Sequence, residues 1–259
     1  MSIRVVFAGL LLTACGGGDA APDAASIDAV PCPAGTAAAT ATARGYGTSI
    51  NGALDGTVVC VHGRPDIACD QSIGSFASVC RPTGVDVALR VSKFGWQSAI
   101  LLYPPDVPAM YTELANDEFA DLVWEQLAGA PYPSTTDAYV LAFVCDTTTC
   151  PDAGMMNPFS GIVDAEIAIA PIHAPVYAGP DQFPDPLLTK TSTSGMAYFP
   201  NVSPGMIDVT VTARGYASCR QHDRSSGRGG GWTSPVAGAT ARVPAIAGTL
   251  TQILIRCTP

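Results

Sequence analysis

Val85, Val87, Leu89 and Val91 alternate with Asp86, Ala88, Arg90 and Ser92. In the second half Ile207, Val209, Val211 and Ala213 alternate in the same way with Asp208, Thr210, Thr212 and Arg214. A period of two sends one set of side chains to a core and the other to water, which is the pattern of a half-buried strand. β-branched residues dominate both runs, as a pleated surface prefers. Each run sits in a larger repeat: Gly74, Gly84 and Gly95 precede Trp96, while Gly195, Gly205 and Gly215 precede Tyr216. The copies are offset by 121 residues, since 195 − 74 = 121 and 205 − 84 = 121. Pro82-Thr83-Gly84 and Pro204-Gly205 are turn formers. Each copy therefore predicts a strand, a tight turn, a second strand, and a glycine corner whose aromatic plugs the end of a sandwich.

Further strands are expected at Ala39–Ser49, Thr57–Val61, Ser98–Tyr103, Ala138–Asp146, Val163–Ala170 and Leu250–Cys257. In Val163–Ala170, Val163, Ala165, Ile167 and Ile169 form the apolar set. "NDEFADLVWEQLAG" breaks the period. Asn116 is an N-cap, Asp117 and Glu118 suit the helix dipole, and Phe119, Leu122, Val123 and Leu127 share one face. Gly129 ends that helix and Pro131 prevents its continuation. The preceding "PPDVPAMYTELA" reads as another short helix capped by Asp106. The apolar face of the main helix is expected to pin against a sandwich, with docking of a partner as the alternative.

Composition agrees with many short strands. The chain has 259 residues, with Gly 26 and Pro 22, hydrophobic residues at 47% and charged ones at 14%. It can bury a core and is punctuated too often for long helices. The formal charge of −9 repels phosphate backbones, so nucleic acid is excluded as a partner.

"MSIRVVFAGLLLTAC" opens with Arg4, continues with an apolar run to Leu12, and ends in small residues. This is the layout of a secretory signal and is too short to span a bilayer. Leu12-Thr13-Ala14-Cys15 resembles the lipobox of bacterial lipoproteins. The resemblance implies cleavage before Cys15 and acylation of that residue, and Gly16 after it implies an outer-membrane address. "GGGDAAPDAASIDAVP" then reads as a tether. Eight cysteines remain: Cys32, Cys60, Cys69, Cys80, Cys145, Cys150, Cys219 and Cys257. An even set in an exported chain predicts up to four disulfides, and the sequence does not fix their connectivity. Local spacing suggests Cys60 with Cys69, Cys145 with Cys150, and Cys219 with Cys257.

"TSTSGMAYFPNVSPGMIDVTVTARGY" and "SIGSFASVCRPTGVDVALRVSKFGW" resemble the carboxypeptidase regulatory-like domain, a transthyretin-like (prealbumin-type) β-sandwich. The second copy carries the family pattern at Thr193, Gly195, Tyr198, Phe199, Pro204, Gly205, Gly215 and Tyr216; the first departs from it at Thr83 and by one residue before Gly95. The resemblance implies a mainly β chain with two tandem sandwiches. The expected organisation is a signal peptide at 1–14, a lipidated cysteine and tether at 15–34, a first sandwich at 35–105, a helical linker at 106–131, and a second sandwich at 132–259.

The expected role is a non-catalytic envelope module, structural or binding, with no cofactor. The membrane is its partner through the anchor, with a glycan or an envelope protein as the further partner. The alternative is a carbohydrate-binding module using Trp96, Tyr216 and Trp232 as stacking platforms, with Arg220 and Arg228 near the last of them, Arg228 in the loop "GRGGG". An intradiol dioxygenase-like iron enzyme is more remote. The resemblance would require two tyrosines and a close histidine pair, whereas His62, His173 and His222 are scattered and Met206-Ile207 follow the Pro-Gly turn. No HxxE or CxxC pair offers zinc a site, and Asp181 and Asp185 lie in the turn-forming "GPDQFPDP" rather than a calcium loop. No catalytic and no metal-binding residue is assigned.

Overall fold

A computed structural model of the chain describes residues 31–47, 52–105, 109–148, 160–222 and 239–259. The chain divides into Met1–Pro31 and a compact unit, Cys32–Pro259. Strands in its first half are β1 (Thr36–Tyr46), β2 (Gly52–Ala53), β3 (Val58–Val61), β4 (Asp70–Gln71), β5 (Phe76–Pro82), β6 (Val87–Lys93), β7 (Trp96–Tyr103) and β8 (Ala109–Ala115). A helix, α1 (Asp117–Asp121), runs into a π-helical segment at Leu122–Leu127. Then come β9 (Ala138–Asp146), β10 (Glu166–Ala170), β11 (Val176–Tyr177), β12 (Met196–Val202), β13 (Gly205–Thr212), β14 (Ser218–Gln221), β15 (Ala241–Ala245) and β16 (Leu250–Thr258).

The described strands form three sheets. One holds β2, β1 and β5, with β8 added parallel to β1. A second holds β10, β13 and β15. The third runs β11-β12-β9-β16-β7-β6-β3-β4, with β14 on β16, and passes through both halves of the chain. At its centre β16 lies parallel to β9 on one side and to β7 on the other.

Two cores lie on opposite faces of that shared sheet. Leu89, Val91, Leu101 and Tyr103 pack with Ala41, Val79, Met110 and Leu114 under the first small sheet. Val140, Ala142, Val144, Phe199, Ile253 and Ile255 pack with Ile167, Ile207, Val209 and Val243 under the other. Leu101 is the register partner of Gln252, and Gln252 has the opposite parity to Ile253 and Ile255. Neighbours in register share a face, so the face that covers the first core turns away from the second.

The repeat explains this arrangement. In the first copy β5 belongs to a small sheet and β6 to the shared one. In the second copy the order is reversed, because β12 lies in the shared sheet and β13 in the small one. Both strand–turn–strand units cross from sheet to sheet, in opposite senses. All six repeat glycines adopt positive φ, from 63° at Gly74 to 148° at Gly205. Trp96 packs half-buried on the first core and Tyr216 on the second.

Several elements differ from expectation. Ala109–Ala115 is a strand rather than a short helix. Met110, Thr112 and Leu114 are buried and alternate with Tyr111 and Glu113, so the period is two, and pairing with β1 fixes it. The expected cap, Asp106, lies outside the described residues. Asn116 does cap α1, its Oδ1 accepting the Phe119 N–H at 2.9 Å. The buried helical face is Ala120, Val123 and Trp124, while Phe119, Leu122 and Leu127 are half-exposed. The cause is the wider π turn, in which the Ala128 N–H reaches back five residues to the Val123 carbonyl at 2.9 Å. That face packs on Tyr139, Ala178, Tyr198 and Leu250. Val85 and Val163, assigned to the apolar sets, are each 50% exposed, and strand β10 begins only at Glu166.

Disulfides join Cys32 to Cys80, Cys60 to Cys69, and Cys219 to Cys257. Among the described residues Cys145 is disulfide-bonded too. Cys15 and Cys150 lie outside the described residues.

Candidate functional site

Strand β9 is apolar on both faces. Val140, Ala142 and Val144 enter the second core, while Tyr139, Leu141 and Phe143 point the other way. The same holds for β16, where Leu250, Gln252 and Leu254 oppose Ile253 and Ile255. With Met196 and Tyr198 of β12 and Leu101 of β7, these residues floor a groove of about 900 Å³. It lies on the side of the shared sheet that the β10-β13-β15 sheet does not cover.

Its walls come from different parts of the chain. Arg44 and Tyr46 of β1 and Tyr111 and Glu113 of β8 form one side. Arg44 and Glu113 are register partners, and the Arg44 guanidinium sits 5.5 Å from the centre of the Tyr111 ring. Phe119, Val123 and Trp124 close one end, with Phe183 beside them at 6.0 Å from Phe119. Gln221 and His222, both buried, lie at the β14 end.

Most hydroxyls here are engaged. Tyr103 donates to the Tyr111 carbonyl at 2.6 Å, and Tyr198 donates to the Gln182 carbonyl at 2.7 Å. Burial holds the Tyr198 phenol well above its ordinary pKa of 10.0, with the nearby Tyr46 and Asp181 adding to the shift. The Gln252 amide donates to the Glu113 carbonyl at 3.3 Å. Gln97, 3% exposed, accepts the Trp124 indole N–H at 3.2 Å through Oε1, and its Nε2 has no hydrogen-bond partner among the described residues.

The residues singled out in the sequence fall elsewhere. Tyr216 is half-buried against the second core and donates to Asp146 Oδ2 at 3.1 Å, so its ring plugs a sandwich end. Burial, and then Asp146, raise its pKa above the ordinary value. Arg220 is exposed on β14 opposite Arg256. Trp232 and Arg228 lie outside the described residues. His62 follows β3, His173 follows β10, and His222 follows β14, each on a separate element. Asp181 and Asp185 make tight turns, their Oδ1 atoms accepting the Phe183 and Leu187 N–H groups at 3.2 and 2.9 Å. The floor residues on β7, β9 and β16 were missed because those strands were read for their extent alone, without asking what each face covers. The available signal was the run "AYVLAFVCD", apolar at both parities, which marks a strand covered on both faces.

No protein-family model matches the chain, and none of the curated proteins matches it. Among solved structures it is similar to the Bacillus anthracis TIE protein, at 12% identity and a TM-score of 0.26 over 85% of this chain and 34% of that one. It is also similar to the shaft pilin SpaA of Lactobacillus rhamnosus GG, at 9% identity and a TM-score of 0.23 over 86% and 98%. A minor pilin of Streptococcus agalactiae gives 9% identity and a TM-score of 0.25 over 85% and 97%. The chain thus spans about a third of the first of these structures and nearly all of the other two. These TM-scores are low, and the mainly β, sandwich-type fold described above rests on the chain's own strands.

Proposed function

We propose that the chain is a non-catalytic cell-envelope module, anchored through an acylated Cys15 and tethered by the Gly-, Ala- and Asp-rich segment after it, that holds a ligand in the groove of its shared sheet. The observation that carries this reading is the groove itself. It is concave, mostly apolar and aromatic, and has a few convergent polar groups, which is how small-ligand sites are built. Disulfides suit an exported body of this kind. The sequence resemblance to carboxypeptidase regulatory-like domains, whose repeat shapes a scaffold, supports a role without chemistry.

A carbohydrate ligand is the second reading, favoured by the half-exposed rings of Tyr46, Tyr111, Phe119 and Phe183 along the walls. Anchoring is tested by fractionation and mass spectrometry. Wild-type protein is expected in the membrane fraction with a diacylglycerol adduct on Cys15, and Cys15→Ser is expected to leave that fraction while keeping its fold. Retention of the Cys15→Ser protein in membranes would sink the anchor.

A further inference from the structure

The composition of the groove narrows its ligand. Its floor is hydrocarbon over three adjacent strands: Leu101, Leu141, Phe143, Leu250 and Leu254. From Gln97 to Tyr103, β7 runs along it for roughly 20 Å at the usual rise of an extended strand. A sugar needs a partner for each buried hydroxyl. The hydroxyls of Tyr103 and Tyr198 and the amide of Gln252 are already given to main-chain carbonyls. The rim offers Arg44 against Glu113 and Asp181, one cation against two carboxylates, on a chain of formal charge −9. That balance disfavours an anionic head group. At the helical end, the buried donor Nε2 of Gln97 has no acceptor among the described residues. A ligand that completes the site brings a hydrocarbon body, no net charge and an acceptor oxygen.

We propose that the groove binds a neutral single-chain acyl ester or amide, its hydrocarbon laid along β7, β16 and β9 and its carbonyl oxygen accepting from Gln97. This inference rests on the ligand-binding reading of the groove. The full chain carrying Cys15→Ser is titrated with the neutral fluorescent probe N-phenylnaphthylamine. Bound probe is then displaced with decanoyl glycerol, its carbonyl-free analogue decyl glycerol ether, decanoate, or maltotriose.

The expected result is saturable probe binding and displacement by decanoyl glycerol about tenfold more strongly than by the ether, the ratio of one good hydrogen bond. Decanoate is expected to be weaker and maltotriose inactive. Gln97→Leu is expected to erase the preference for ester over ether and leave ether binding unchanged. Met196→Glu, at the half-buried edge of the floor, is expected to weaken both, with near-UV circular dichroism reporting the fold. Absence of saturable probe binding in the folded protein overturns the binding-module reading itself. Probe binding without displacement by decanoyl glycerol, or with stronger displacement by maltotriose or decanoate, overturns the ligand class and leaves the groove standing. Equal displacement by ester and ether overturns the role of Gln97.

Discussion

Gly161 and Gly195 touch backbone to backbone where the loop before β10 crosses the turn before β12. A Cβ on Gly195 would overlap the Val144 carbonyl oxygen, and φ there is +67°. Both steric room and backbone conformation exclude a side chain. Gly84, at φ +70°, has open space where a Cβ would sit. Gly195→Ala is therefore expected to cost roughly 2–4 kcal/mol and Gly84→Ala about 1 kcal/mol in urea unfolding; equal costs would show that the crossing is not tight. Buried phenols set an alkaline limit. Tyr198 titrates above its ordinary value of 10.0 in the folded protein, chiefly through burial. Above that pH the unfolded chain loses its phenolic proton while the folded one keeps it, so stability falls as pH rises. Unfolding at alkaline pH is expected to coincide with a step in tyrosinate absorbance, and Tyr198→Phe to flatten the dependence. Gradual ionisation of every tyrosine without unfolding would contradict this.

At the level of elements, polar side chains seal the sheet edges. Tyr103 and Gln252 take up the Tyr111 and Glu113 carbonyls on the outer side of β8. Tyr177 Oη accepts the Ile167 N–H of β10 at 3.0 Å, and Thr191 Oγ1 accepts the Ala165 N–H at 2.8 Å. An edge satisfied by side chains is a poor template for another strand. Tyr177→Phe is expected to lose about 1–3 kcal/mol, with faster hydrogen exchange at Ile167, because a buried donor is orphaned; unchanged exchange there would refute the cap. Disulfides brace the same elements. Loop closure gives about 4 kcal/mol for Cys219–Cys257 and about 3 kcal/mol for Cys60–Cys69, whose sequence separations are 38 and 9. Paired Cys→Ser replacement is expected to keep that order in urea melts.

Much at this scale was legible. Period-two runs placed β6 and β13, and β9 fell at Ala138–Asp146 as expected. β8 was misread because its few apolar residues also fit a helix, and pairing with β1 decided between them. The groove was hidden because parallel pairing of β16 with β7 and β9 leaves no turn signal in the sequence.

For the whole molecule, the shared sheet couples the two cores. Ile253 and Ile255 of β16 belong to the second core, while β16 also pairs with β7, whose Leu101 and Tyr103 belong to the first. The compact unit is expected to unfold in one transition, with near-UV and far-UV circular dichroism coincident. Separate transitions would mean that the halves are energetically independent. A chain ending before Leu250 is expected to bury neither core fully.

That placement of β16 also bears on how the protein is made. The strand between β7 and β9 is synthesised after every other described strand, so an emerging chain cannot close its central sheet until Leu250–Thr258 has left the ribosome. On the export route proposed above, that order of synthesis keeps the polypeptide threadable through a translocon until β16 has emerged.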